Sequence, residues 1–404
     1  MLNPGSSSRA FEPAGLTDHS EHICLNSGSS PDTQTLTMSS PSLTLPISKG
    51  STVRVSLIHA GRTTVPTAFL VQKQIPGHDL IDIPCYSFLI ENEQLGKKVL
   101  YDLGIMKAWK EKQPPAIMER IKFAKAVMDI THDVADQLIA ASVPLSSINS
   151  IIWSHHHMDH NGDPSLWPKS TSLVVGPGFK SNPHTYPGFP NNPDSVVCQD
   201  ALEGRDLIEL EFCDTLEIGG FKAVDFFGDG SFYLLHASGH THDHICGLAR
   251  TSENKFIFMG GDTAHHGGEF RPTRFLPLPE YITPSPFEAP NSRAICPGAF
   301  FEPIHPSFVT SSGNYRTTPF YELSPMMNDF LPDAQATVSK MQLFDASPDV
   351  FVVIAHDASL LDVLPFYPKG ELTGWEKTED KIVGRWRFLK DFRKAVEVLK
   401  AEGT

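Results

Sequence analysis

From residue 53 onward the chain is divided into short apolar runs with the period of strands and longer runs with the period of helices. Strand-like runs occupy 53–59, 85–91 and 99–102. Between the last two, Asn92-Glu93-Gln94 followed by Gly96 predicts a hairpin turn, and Pro84 suits the start of a strand. Helical spacing follows over 116–128 and 133–141. Pro114-Pro115 opens the first helix, and Thr131-His132-Asp133 offers N-cap side chains to the second. A short apolar run at 148–153 ends abruptly in histidines. Strands are predicted at 172–176, 208–217, 221–227 and 232–236, split by Gly219-Gly220 and Gly228-Asp229-Gly230, and again at 245–249 and 255–259. The chain closes with a helix at 333–344, a buried strand at 350–355 and an amphipathic helix at 385–400. Strands with helices between and after them predict an α+β chain, two sheets faced by helices in an αββα sandwich.

Residues 1–50 stand apart. Ser, Thr, Pro and Gly dominate, without apolar periodicity, so this segment is expected to be a disordered tail preceding a catalytic domain at 51–404. It lacks the basic start and apolar stretch of a signal peptide, and Met38 is a second plausible start within it. His19, His22 and Cys24 lie there and are not expected to do chemistry. Of 404 residues, 40% are hydrophobic, enough for a substantial core. The 33 Lys+Arg against 47 Asp+Glu give a net charge of −14, which opposes nucleic acid and anionic membrane surfaces as partners. No apolar run is long enough for a membrane span. Six cysteines without a CxxC pair fit a reducing, cytoplasmic setting. The partner left is a small-molecule substrate; oligomeric state is not legible.

The histidines carry the chemistry. Ser154-His155-His156-His157-Met158-Asp159-His160-Asn161-Gly162-Asp163 follows the run at 148–153. On an extended backbone His155 and His157 point to one side, and a turn can bring Asp159 and His160 to a neighbouring centre. Gly239-His240-Thr241-His242-Asp243-His244, Gly260-Gly261-Asp262 and His356 each follow another apolar strand. Imidazoles and carboxylates together suit Zn²⁺ or Fe²⁺, and rigid strands ending in such residues are where sheet proteins commonly place a site. His59, His78, His132, His184 and His305 are expected to be ordinary surface or core residues. His156 and His242 are expected to face away from the ligands, and His266 is left at the rim of the pocket.

In these motifs, His155-x-His157-x-Asp159-His160, Gly239-His240-Thr241, Gly261-Asp262 and His356, the chain resembles the metallo-β-lactamase superfamily over about 53–365. Tyr101-Asp102-Leu103-Gly104 is similar to the family's early D-x-G element. The resemblance implies that His155, His157 and His240 bind one metal, that Asp159, His160 and His356 bind another, and that Asp262 bridges them. Asp102 and His244 would orient ligands. An aspartate at 262 resembles the branch of acyl-homoserine lactonases and hydroxyacylglutathione hydrolases. The lactonases carry a tyrosine three residues later, where this chain has His265, so that residue is expected to donate to the carbonyl oxygen or leaving group. The implied cofactor is Zn²⁺, two per chain. The implied reaction is attack of a metal-bound hydroxide on the carbonyl of a small cyclic ester or amide (lactone, lactam or cyclic carbamate), with Asp159 passing a proton to the leaving atom. A setting in secondary metabolism or detoxification follows by analogy only.

Two other reactions fit the same motifs: a thioesterase acting on glutathione or carrier-protein thioesters, and a mononuclear iron dioxygenase. The stretch 270–325, rich in proline and aromatics, is expected to be an insertion before the last ligand, either an irregular cover for one sandwich face or a lid or pocket wall for an apolar or aromatic acyl group. Arg271, Arg274 and Arg293 are candidates there for neutralising a carboxylate.

Overall fold

A computed structural model describes residues 43–46, 50–309 and 314–401; all but residues 43–46 and 50 of the expected tail lie outside them. The first sheet is built from β1 (Arg54–Pro66), β2 (Leu80–Asn92), β3 (Lys97–Tyr101), β4 (Val127–Asp129), β5 (Ser150–Ile152), β6 (Ser172–Val175) and β7 (Leu207–Glu209). Its order is β4-β1-β2-β3-β5-β6-β7. The second sheet takes β8 (Glu217–Ile218), β9 (Phe221–Asp225), β10 (Phe232–His236), β11 (Ile245–Ser252), β12 (Lys255–Met259) and β13 (Val350–Val353), in the order β13-β12-β11-β10-β9-β8.

Strand periodicity explains the layering. Leu57, Phe88, Ile90, Leu234 and Ile257 point between the sheets into the central core. Their neighbours Ile58 and Leu89 point outward against α1 (Pro115–Ala124) and α2 (Val134–Ala140) through Ile117, Val134 and Leu138. On the far side, Leu235 and Phe258 meet Val338, Met341 and Phe344 of α3 (Leu331–Ala346). Each strand therefore feeds two cores with alternate side chains, and the result is the expected αββα sandwich. Asp133 caps α2, accepting from Asp136 N at 2.9 Å.

Three expectations change. The helix expected over 116–128 stops at Ala124, because Lys125 turns left-handed with φ 52° and closes it. The chain then runs back along Arg62–Thr64 as edge strand β4. The run 208–217 splits into β7 and β8, which belong to different sheets. The helix expected over 385–400 breaks into α4 (Asp380–Arg385), a 3₁₀ turn at Arg387–Phe392 and α5 (Arg393–Ala401). Burial of Phe388, Leu389 and Phe392 decides this break.

The segment 270–325 also behaves differently from the expected lid. Leu278, Ile282, Phe301, Phe320 and Tyr321 join Phe388 and Phe392 in a fourth core, and Arg271 pairs with buried Asp345 at 2.6 Å. Its aromatics fill protein, since large rings that can reach a core are worth several kcal/mol there, about 3–5 for a phenylalanine. The tail boundary moves as well: Leu43 and Leu45 pack against the third core, and Pro46 O accepts from Arg250 at 2.9 Å.

Candidate metal centre

All seven sequence-predicted ligands come together at the ends of β5, β10, β12 and β13. The loop after β5 is held by Asp102, which takes φ 59°. Its carboxylate accepts from Ser154 N at 2.6 Å, from Ser154 Oγ at 2.8 Å and from His160 Nδ1 at 2.9 Å. With Nδ1 donating, His160 presents the lone pair of Nε2. His356 is set in the same way, its Nδ1 donating to Pro84 O at 2.7 Å. His244 donates to Ala237 O at 2.8 Å and accepts from Asp262 N at 3.0 Å, so it fixes the backbone that carries Asp262. Gly261 makes this contact feasible: it takes φ +49°, and a Cβ there would lie 2.6 Å from His244 Nε2.

Asp262 sits at the middle, 2% exposed. Its Oδ2 is 3.3 Å from His240 Nε2 and 3.7 Å from His155 Nε2, and His240 Nε2 is 3.0 Å from His157 Nδ1. Its Oδ1 is 3.0 Å from His160 Nε2 and 3.1 Å from His356 Nε2. The two oxygens thus face separate histidine sets. Asp159 lies at the edge, 3.5 Å from His356 Nε2 and 4.0 Å from His160 Nε2.

Five buried polar atoms here have no hydrogen-bond partner: His155 Nε2, His240 Nδ1, Asp262 Oδ1 and both ring nitrogens of His265. Buried polar atoms are seldom left so, and a donor set of this kind fits divalent cations. Electrostatics divide the rings into two groups. Burial, then neighbouring rings, hold His155 and His157 well below the usual imidazole range; burial with His157 does the same to His240. Burial works against charge on His160 and His356 too, but Asp262 outweighs it and lifts both. Burial likewise opposes charge on Asp262, yet His160 and His356 keep its carboxyl well below the ordinary range.

A cavity of about 410 Å³ opens onto His157, Asp159, Asp262 and His265. Its walls come from β1, α1, β4 and the segment Met326–Asp329, and Arg120 is the one basic side chain among the described residues lining it. Residues of 270–325, including Arg271, Arg274 and Arg293, do not line it. His265 faces this cavity, its Nε2 3.3 Å from Asp262 Oδ2. His156 turns away to Asp243 at 2.8 Å, and His242 lies beside it.

Comparison with known proteins agrees with this geometry. No family model matches the chain. Gamma-lactamase FDB1 of Fusarium pseudograminearum (strain CS3096) is 38% identical over 364 residues, 87% of this chain and 85% of its own. The chain belongs to the metallo-β-lactamase superfamily. Within this metallo-hydrolase superfamily, metallo-hydrolase mfmC of Annulohypoxylon moriforme is 37% identical over 365 residues, 89% of this chain and 92% of its own. The solved structure of a quorum-quenching N-acyl homoserine lactone hydrolase shares the fold, with a TM-score of 0.51 at 14% identity, covering 80% of this chain and 99% of that one. The chain is therefore a metal-dependent hydrolase of the lactonase and lactamase type.

Sequence reasoning missed three things. His266 is a buried cap rather than a rim residue: it bonds Asp391 at 3.2 Å and stands beside His78. Cys85 stands beside Asp159 and His356. Arg120 lies on a helix whose surface spacing carried no sign of the cavity.

Proposed function

We propose that this metallo-hydrolase holds two zinc ions and opens a small cyclic amide or ester, of lactam or lactone size. The observation that carries the reading is Asp262, with one oxygen toward His155 and His240 and the other toward His160 and His356. His157 would complete the first set and Asp159 the second. Two cations so placed supply a nucleophile near neutral pH and polarise a carbonyl.

The chain's own residues do the rest. Asp102 and His244 hold ligand rings and backbone in register. His265, buried with both ring nitrogens unsatisfied beside Asp262, can donate to a substrate oxygen. Asp159 is the most exposed ligand-type carboxylate of the group, at 19%, and can carry a proton between cavity and leaving atom. The apolar walls exclude water from a compact, apolar ring, and the cavity volume suits a small molecule. The relative named gamma-lactamase supports the amide side of this choice.

A glutathione thioesterase would need more than the single basic wall residue Arg120 to receive two carboxylates. A mononuclear iron site would leave half of the Asp262 environment unused. Cys85, Cys198, Cys213 and Cys246 are free thiols, which supports the reducing setting of this reading. The test is metal analysis followed by a panel of γ-lactams, γ-lactones and thioesters. Turnover of five-membered cyclic substrates with two metals bound is expected; exclusive thioester turnover would overturn the reading.

A further inference from the structure

We infer that Cys85 supplies a sulfur ligand to the metal position formed by His160, Asp262 and His356, leaving Asp159 as the exchangeable carboxylate that handles protons. This rests on the dinuclear reading above.

The sulfur is placed by the backbone. In β2, Tyr86 N donates to Ala355 O at 3.1 Å, and Tyr86 Oη donates to Asp357 O at 2.8 Å. His356 Nδ1 donates to Pro84 O at 2.7 Å. The residues on either side of Cys85 are thus tied to the segment that carries His356. Ligand atoms of Cys85, Asp159 and His356 lie within 4.8 Å of one another, and those of His160, Asp262 and His356 form a second such group. Because His356 donates through Nδ1, its Nε2 offers a lone pair between the two groups.

One unsatisfied acceptor points to an ion there, and the looser carboxylate shows which ligand exchanges. Asp262 Oδ1 is a buried acceptor with no hydrogen-bond partner, 3.1 Å from His356 Nε2. Asp159 is held more loosely than Asp262, at 3.5 and 4.0 Å from the two imidazoles against 3.1 and 3.0 Å. Cys85 is 1% exposed and approaches from the protein interior, whereas Asp159 lines the cavity. With sulfur on the interior side, the set keeps three protein ligands, His160, Asp262 and His356, plus Cys85 when Asp159 swings away. The balance is simple: the thiol proton passes to solvent as the sulfur–metal bond forms, and no electron is transferred. A thiolate selects zinc over harder cations.

The experiment is X-ray absorption at the zinc edge of the full chain as purified. A sulfur scatterer at about 2.3 Å beside the nitrogen and oxygen shell is expected, together with a sulfur-to-cobalt charge-transfer band in the Co²⁺-loaded protein that disappears in Cys85→Ser. Asp159→Asn should keep both the sulfur shell and the metal count while turnover falls. Zinc with only nitrogen and oxygen neighbours would overturn the inference and leave the hydrolase reading standing. Loss of a metal from Asp159→Asn would overturn the exchangeable role. A protein that binds no metal would overturn both readings. If Cys85→Ser does not fold, the wild-type absorption spectrum decides alone.

Discussion

Two consecutive histidines belong to two clusters built from the same residue types and opposite in character. His265 faces the metal centre; His266 joins His78 and Asp391, which also place ligand atoms within 4.8 Å of one another. By residue type and distance both could hold a cation. Their hydrogen bonds separate them. Gly268 N donates to His266 Nδ1 at 3.0 Å, so that ring keeps its proton on Nε2, directed at Asp391. His78 Nδ1 pairs with Tyr321 Oη at 2.6 Å. No side-chain atom of this trio is among the buried atoms lacking a partner, whereas His155, His240, Asp262 and His265 all contribute to them. Proximity of ligand-type residues is thus a weaker sign of a metal than unsatisfied valence: one cluster caps a turn, and the other presents ligand atoms without partners.

Breaking the centre should have the largest effect. Asp262→Ala removes the one carboxylate among the described residues that faces both histidine sets. Metal content should fall from about two to one or fewer, and turnover should drop by more than the ~10²- to 10³-fold of a single lost oxyanion donor, as read by elemental analysis and kinetics side by side. His265→Ala comes next, at on the order of 10²-fold in turnover with metal content unchanged; an unaltered rate would leave the metals alone with the chemistry.

The other cluster should respond in stability. His266→Ala removes the cap of the Gly267–Glu269 turn and the partner of Asp391, a loss of about 1–2 kcal/mol in denaturant unfolding. Turnover should stay within a few-fold, and a drop in metal content would erase the distinction between the clusters. The same cluster should also show in pH dependence. Burial, then His266, push His78 down to about 4. The unfolded chain takes up this proton near the ordinary imidazole value while the folded one does not. Stability should therefore fall as pH drops from about 6.5 to about 4, by up to ~1.4 kcal/mol per pH unit. His78→Gln should flatten that slope; an identical slope would show that other groups set it.

Much of the centre was legible in the sequence because its ligands follow buried strands, and strand ends are fixed by local periodicity. Asp102, His240, Asp262 and His356 need only the sandwich to meet. His266 and Cys85 were not legible. One owes its role to Gly268, Tyr321 and Asp391, and the other to a strand crossing 271 residues away in sequence from His356, so neither leaves a short-range pattern. The aromatics of 270–325 read as a lid because composition cannot tell a cavity wall from a fourth core; the rings of Phe388 and Phe392 decide that. Residues 116–128 read as one helix because the left-handed turn at Lys125 has no glycine to announce it.

The most direct test is metal stoichiometry by mass spectrometry, on wild type and His266→Ala purified in parallel. Two ions per chain are expected in both proteins, since the satisfied cluster holds none. One ion or fewer in the fully active wild type, or three falling to two in His266→Ala, would contradict the assignment of both clusters.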